Sequence, residues 1–183
     1  MAGEVKNPLV LITGGCRSGK SAFAQQLAEK HSVPRLFLAT CPCLDTEMEE
    51  RIRKHKEMRS GRGWQSVEEE IHLDRIITGA GDETAIVIDC LTLWISNLLY
   101  AAGQQNRELT ETDMVPLCED LAGAARSHQG LVIMVTGEVG LGIVPENRQA
   151  RLYRDLVGRC NQIMAGQADQ VFLMSCGLPL RLK

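Results

Sequence analysis

Leu9-Val10-Leu11-Ile12-Thr13-Gly14-Gly15-Cys16-Arg17-Ser18-Gly19-Lys20-Ser21 joins an apolar run to a complete G-x-x-x-x-G-K-[ST] phosphate-binding loop. The pattern has a mechanical meaning. A strand ends in a glycine-rich turn and a helix begins there, so successive backbone N–H groups wrap a phosphate at the positive end of the helix dipole. Lys20 is placed to reach the β- and γ-phosphates and the Ser21 hydroxyl to ligand Mg²⁺. Gly14 and Gly19 allow backbone angles and approaches that a Cβ blocks. Behind the loop, Ala22, Phe23, Leu27 and Ala28 fall on one stripe, so a helix is expected over Lys20 to Lys30. The run Gly14, Gly15, Cys16, Arg17, Ser18, Gly19, Lys20 and Ser21 therefore reads as a nucleotide-binding site rather than a chance turn.

The rest of the chain repeats the same alternation. Apolar runs at Leu9 to Thr13, Arg35 to Thr40, Ala85 to Asp89, Leu131 to Thr136 and Gln170 to Met174 read as strands. Helices are expected at Lys20 to Lys30, Glu47 to Arg59, Leu91 to Ala101, Glu111 to Arg126 and Ala150 to Gln167. The last keeps Tyr153, Leu156, Val157, Cys160, Ile163 and Met164 on one face, which reads as core. This is the signature of βαβ units: one α/β domain over residues 1–183, with a mainly parallel sheet and helices on both faces. Trp64 to Val67 reads as a short edge strand whose direction, parallel or antiparallel, the pattern leaves open. Gly103 to Arg107 reads as a polar surface loop.

Composition narrows the class further. Of 183 residues, 44% are apolar but only 4% aromatic, which suits an aliphatic α/β core. A net charge of −3 gives no pull toward nucleic acid or an anionic membrane. No run approaches the ~20 apolar residues that span a bilayer, and Met1 to Asn7 lacks a secretory pattern, so a cytoplasmic protein is expected. The seven scattered cysteines form neither a disulfide framework nor a zinc site, and read as reduced thiols. Cys16, inside the phosphate loop, sits where positive potential favours its thiolate.

Three further places carry chemistry. Asp89 ends a buried strand, where a carboxylate holds Mg²⁺ or caps the helix that follows; next to a phosphate loop the metal role is favoured. His55 lies on an expected helix that opens with a Thr46/Glu49 capping box. Met48, Ile52, His55 and Arg59 share one face of it. An imidazole there, one turn from an arginine, is either a nucleophile toward phosphorus or a structural or solvated side chain, and the spacing alone favours the second. Thr136 to Pro145 is glycine-rich and follows a strand, which puts it on the ligand edge of an open α/β sheet. It is no dinucleotide fingerprint. Glu138 and Arg148 flank this segment, Arg151 and Arg154 follow one turn apart on the helix, and at least two of the three arginines read as a solvated charged face.

These pieces together resemble the bifunctional adenosylcobinamide kinase/adenosylcobinamide-phosphate guanylyltransferase family. The resemblance rests on Gly14 to Ser21, Arg51-Ile52 with His55 and Trp64, Asp89-Cys90-Leu91-Thr92-Leu93-Trp94, Glu138 to Pro145, Arg154-Asp155 with Gly158 and Asn161-Gln162, and Gly177-Leu178-Pro179-Leu180 with Lys183. It runs from the first strand to the last residue.

The family implies phosphorylation of the aminopropanol hydroxyl of adenosylcobinamide by a nucleoside triphosphate, ATP or GTP. GMP is then transferred from GTP to that phosphate, releasing pyrophosphate. The transfer passes through a histidine phosphoramidate, and the matching residue is His55. The resemblance thus raises His55 above the reading its spacing supports. Nucleotide contacts fall by the same matching on Ala39, Thr40 and Cys41, on Lys56, Glu57, Met58 and Arg59, on Glu68 and on Asp89. A RecA-like fold and a homotrimer are implied as well.

Three departures stand out. Cys16 replaces a usual alanine, Thr136-Gly137-Glu138 replaces a Ser-Asn-Glu-like triplet, and Cys41-Pro42-Cys43 is atypical. Two other readings of the same residues are a small-molecule kinase alone and a nucleotide-dependent switch or assembly protein.

Overall fold

A computed structural model describes residues 8–31, 34–42, 50, 53, 57 and 59–183. In chain order the elements are β1 (Leu9–Gly14), α1 (Lys20–Glu29), β2 (Arg35–Ala39), β3 (Trp64–Glu68), α2 (Leu73–Gly79), β4 (Ala85–Asp89), α3 (Leu91–Gln104), α4 (Glu111–Ser127), β5 (Val132–Val135), α5 (Arg148–Gln167), β6 (Gln170–Ser175) and β7 (Leu178–Arg181). One seven-stranded sheet runs in the order β3-β2-β4-β5-β1-β6-β7. Every neighbouring pair is parallel except β6 with β7. The expected α/β sheet, mainly parallel and covered on both faces, is what forms.

Alternation along the strands sorts the core into two layers. Leu9, Leu11, Leu36, Leu38, Ile86, Ile88, Val132 and Met134 face one side, where they bury against α2, α3, α4 and α5. Val10, Ile12, Phe37, Val87, Ile133 and Val135 face the other, against Ala24 and Ala28 of α1. A strand buried on both faces must be apolar at every position, and the central strands are: β1 reads Leu-Val-Leu-Ile before its Thr-Gly end. The interior is aliphatic nearly throughout, and Trp94 satisfies its indole N–H on the Ile71 carbonyl at 2.9 Å.

The edges hold the surprises. β3 is indeed an edge strand, and it is parallel to β2. The antiparallel edge lies at the opposite end, where β7 returns on β6 through Cys176 and Gly177, both with positive φ (52° and 82°). That is a two-residue turn of the type whose twist matches a hairpin. Pro179 sits in β7, which tolerates it as an edge strand. The seven-residue α2 also lies outside the expected elements. Its preceding N–H groups, those of Ile71 and His72, donate to the Glu69 carboxylate at 2.8 and 2.9 Å, which holds Glu69 below the usual carboxylate range. α3 continues through Gly103 and Gln104, so the polar loop is shorter than expected. Of the expected helix Glu47 to Arg59, Glu50, Arg53, Glu57 and Arg59 are described and each is helical. Thr46, Glu49, His55, Lys56 and Met58 lie outside the described residues.

Gly14 shows how tightly the sheet edge constrains the phosphate loop. Its φ is +146°, and a Cβ on it would stand 2.5 Å from the Met174 carbonyl oxygen of β6. Gly14→Ala should therefore cost about 3 kcal/mol and lower the thermal midpoint by about 6–12 °C. Urea unfolding of the parent and variant reads this directly; a loss under about 1 kcal/mol would mean that the loop accommodates a side chain freely.

Candidate active site

The carboxyl ends of the parallel strands build the site. Glu68 of β3, Ala39 of β2 and Asp89 of β4 are register partners, so three of the expected site residues stand side by side across the sheet. β5 follows, with Val135 paired to Asp89 on one side and to Ile12 of β1 on the other. One strand thus separates the phosphate loop from the Asp89 strand. This edge, where crossovers leave on both sides, is where open α/β sheets bind ligands.

The phosphate loop is held from two directions. Its Ser18 carbonyl accepts the Gly177 N–H at 3.0 Å, and a Cβ on Gly19, whose φ is +97°, would come 3.3 Å from the Gly177 Cα. The β6–β7 hairpin therefore props the loop, and two glycines make the approach possible. The Lys20 ammonium donates to the carbonyls of Gly14 (3.0 Å) and Gly15 (2.7 Å). The Ser18 hydroxyl is buried with no hydrogen-bond partner. α1 begins at Gly19 with no side-chain cap on its first N–H groups and no acidic residue in its first turn. Helix N–H groups with no side-chain cap, a fixed ammonium and an orphaned hydroxyl around one loop are complementary to the oxygens of a phosphate chain.

Opposite the loop, Thr40 and Arg59 order the other half of the site. The buried Thr40 hydroxyl accepts from the Cys90 N–H and donates to the Cys90 carbonyl, both at 2.8 Å. The Asn97 amide then donates to the Thr40 carbonyl at 2.8 Å. Thr40 thereby fixes the backbone that leaves Asp89, and its side chain is committed to that task. Arg59 is 4% exposed. Its guanidinium lies 3.6 Å above the centre of the Phe37 ring, and its Nε and Nη1 have no hydrogen-bond partner. Burial lowers its pKa, and the nearby Asp89 carboxylate opposes that. A buried cation with two free donors, held flat on an aromatic face, is poised for an anion.

Cys90 is pushed up by burial and by Asp89, so it stays a neutral thiol and no nucleophile. Cys41 is half-buried next to Thr40, and Glu68 is exposed at the sheet edge. Glu57 is exposed and pairs with Arg53 at 2.6 Å. Cys16 is exposed on the loop and Ser21 half-buried in the first turn of α1.

The segment after β5 joins the site through contacts between residues far apart in sequence. Glu138 accepts a hydrogen bond from the Thr13 hydroxyl at 2.5 Å, and its N–H donates to the Gly14 carbonyl. The Thr136 hydroxyl donates to the Asn161 Oδ1 at 2.7 Å, and the Asn161 amide donates to the Gly137 carbonyl at 3.1 Å. Tyr153 donates to the Thr92 carbonyl at 3.2 Å. This anchoring role of Asn161 and Tyr153 is not readable from spacing, because it depends on where α5 lands. Of the three arginines expected mainly on a solvated face, Arg148 is exposed and pairs with Glu108 through two hydrogen bonds. Arg151 is half-buried and holds the carbonyls of Pro145 and Glu146. Arg154 is half-buried beside Asp155.

Among the described residues, no group of three or more His, Cys, Asp or Glu could hold a metal. Nor is any described helix long and apolar enough to cross a membrane. A phosphate loop, a carboxylate and a buried cation fit many nucleotide enzymes, so homology decides among them. The family model for cobinamide kinase/cobinamide phosphate guanyltransferase matches residues 10–182. The chain belongs to that family.

Relatives span nearly the whole chain. Bifunctional adenosylcobalamin biosynthesis protein CobU of Salmonella typhimurium is 40% identical over 183 residues, covering 96% of this chain and 99% of its own. CobU of Escherichia coli is 36% identical, with 96% and 99% covered. The bifunctional adenosylcobalamin biosynthesis protein CobP of Pseudomonas aeruginosa is 33% identical, with 94% and 96% covered. The resemblance stated from the sequence is borne out. This member of the cobinamide kinase/guanyltransferase family is a bifunctional nucleotide-dependent transferase of adenosylcobalamin biosynthesis.

Proposed function

We propose that this cytoplasmic enzyme carries out both steps at one sheet edge, using adenosylcobinamide, ATP or GTP, and a histidine relay. The observation that carries the reading is the line of Glu68, Ala39 and Asp89 facing a propped phosphate loop. In the first step the aminopropanol hydroxyl attacks the γ-phosphorus, and the bond to the β-phosphate oxygen breaks. Such a displacement needs positioning and charge neutralisation rather than a side-chain nucleophile. Gly14, Gly15, Cys16, Arg17, Ser18 and Gly19 wrap the phosphates, with Lys20 turning from its loop carbonyls toward the β- and γ-oxygens.

In the second step the His55 imidazole attacks the α-phosphorus of GTP, and pyrophosphate leaves. A phosphate oxygen of cobinamide phosphate then attacks the same phosphorus, the P–N bond breaks, and adenosylcobinamide-GDP forms with His55 restored. Arg59, four residues after His55 in the sequence, stacks on Phe37 in the field of Asp89. Ala39, Cys41, Lys56, Glu57, Met58 and Glu68 complete the nucleotide contacts, and Thr40 contributes through the Cys90 backbone.

Ser21 and Asp89 would hold Mg²⁺. The donor set, one hydroxyl and one carboxylate, suits a cation that takes few protein oxygens and completes its shell with phosphates and water, and the orphaned Ser18 hydroxyl leaves a further oxygen in the same loop. When bound, it neutralises phosphate charge as the leaving group departs. Asp89→Asn should raise the Mg²⁺ concentration for half-maximal kinase rate by about tenfold or more, a loss of ~1.4 kcal/mol in metal binding. A Mg²⁺ titration of both proteins checks this, and identical curves would refute a metal role for Asp89. A homotrimer is the assembly we propose, to be read by sedimentation.

Incubation with adenosylcobinamide, ATP and GTP, followed by chromatography at a corrin absorption band, tests the whole reading. Two successive products are expected, the phosphate and then the GDP derivative. Nucleotide consumption indifferent to cobinamide would instead favour the switch or assembly protein.

A further inference from the structure

Between the C-terminal half of α3 and the first turns of α5 lies a hollow of about 620 Å³. That volume is typical of a small-molecule site. Its walls combine the rings of Tyr100 and Tyr153 with the carboxamides of Gln104, Asn147 and Gln149. Tyr100 is 71% exposed, on a helix whose other large apolar side chains are mostly buried. The cations at the rim are already matched: Arg148 grips Glu108 at 2.8 and 3.0 Å, and Arg107 pairs with Asp113 at 3.4 Å. The hollow therefore offers aromatic faces and neutral amides, chemistry suited to an amide-bearing ligand rather than to a phosphate.

The chain itself connects this hollow to the phosphate loop. Glu138 is fastened to Thr13 and Gly14 at one end of the segment, and Asn147 at the other end caps α5 and lines the hollow. Between them Leu141 is 80%, Ile143 97% and Val144 58% exposed. Arg151 holds the carbonyls of Pro145 and Glu146, so these aliphatic side chains project from an anchored backbone. Tyr153, in the back wall, donates to the carbonyl of Thr92 in the first turn of α3, three residues past Asp89. An exposed aliphatic ridge thus runs from the phosphate loop, at Thr13 and Gly14, to an amide-lined hollow.

We propose that the ridge and the hollow together are the corrinoid site. The inference rests on cobinamide being the substrate. A corrinoid is a broad ring with largely apolar faces and a rim of carboxamides, larger than the hollow alone. One face lies on Leu141, Ile143 and Val144, and rim amides exchange hydrogen bonds with Gln104, Asn147 and Gln149. The aminopropanol arm extends along Glu138 to the phosphate loop. Continuity with the nucleotide site favours this occupant over a second copy of the chain, because the acceptor hydroxyl must end beside the loop that the ridge starts from.

The test uses Ile143→Asp and Tyr100→Ala in the full chain. Both alter exposed side chains, so neither threatens the core. Each should raise the KM for cobinamide about tenfold or more in the kinase assay. The KM for nucleotide and the guanylylation of His55 by GTP alone should stay as in the parent. Unchanged cobinamide KM in both variants overturns the proposal. So does a sedimentation shift to smaller species with cobinamide KM preserved, which would make the ridge a contact between copies. Failure of the parent to phosphorylate cobinamide would instead refute the substrate itself, a result separate from either variant's.

Discussion

Replacing His55 with alanine is expected to depress guanylyl transfer by about 10⁴-fold or more while leaving cobinamide phosphorylation within about threefold of the parent. The asymmetry follows from the chemistry. Attack by the cobinamide hydroxyl on the γ-phosphorus is a single displacement, driven by alignment and charge neutralisation at Gly14 to Ser21. Nucleotidyl transfer to a second acceptor needs the α-phosphorus to be held while pyrophosphate leaves and the acceptor takes its place, and a covalent P–N bond is what holds it. Separate assays of pyrophosphate release from GTP and of cobinamide phosphorylation distinguish the steps. Equal loss of both activities would show that His55 supports the fold or the nucleotide rather than a covalent relay.

Lys20→Ala should remove both activities together, each falling about 10³-fold, which corresponds to ~4 kcal/mol of transition-state stabilisation. The Lys20 ammonium rests on the carbonyls of Gly14 and Gly15, already within the loop that is to hold the phosphates. Kinase and transferase steps differ in which phosphorus reacts, but both develop charge on oxygens within that loop. Nothing else in the loop replaces the charge except Arg17, which is exposed and has a positive φ of 55°. The fold should survive, because β1 and α1 pack through Val10, Ile12, Ala24 and Ala28 and not through Lys20. A variant with normal circular dichroism and retained transferase activity would place the charge neutralisation elsewhere, with Arg59 the first residue to examine.

The central architecture was legible because its signals are local. A continuous apolar run into G-x-x-x-x-G-K-S specifies strand, loop and helix within one stretch of residues, and the apolarity of Ala85 to Ile88 marks a strand buried on both faces. The β6–β7 hairpin escaped the pattern because its turn is Cys176-Gly177 rather than the more familiar Asn-Gly, and because β7 is an edge strand whose four residues are all exposed. α2 is short and gains its start from Glu69, a capping contact made by a side chain three residues before His72. At the site, Lys20 and Asp89 could be picked out from spacing alone. Arg59 shares a helix face with Met48, Ile52 and His55 in the sequence, but its stacking on Phe37 depends on where the sheet brings that ring. Thr40 and Asn161 act across 50 and 25 residues; the sequence carries no periodic trace of such contacts. His55 is a case of another kind, since its role comes from the family motif and not from its spacing.

Intact-protein mass spectrometry after incubation with GTP and Mg²⁺ tests the histidine relay most directly, with ATP as the control nucleotide and His55→Ala as the control protein. A GMP-sized, acid-labile increment on the parent, absent from the variant and not formed with ATP, is the expected result. A parent that binds GTP yet gains no mass, or a variant that gains the same adduct, would contradict the covalent role of His55.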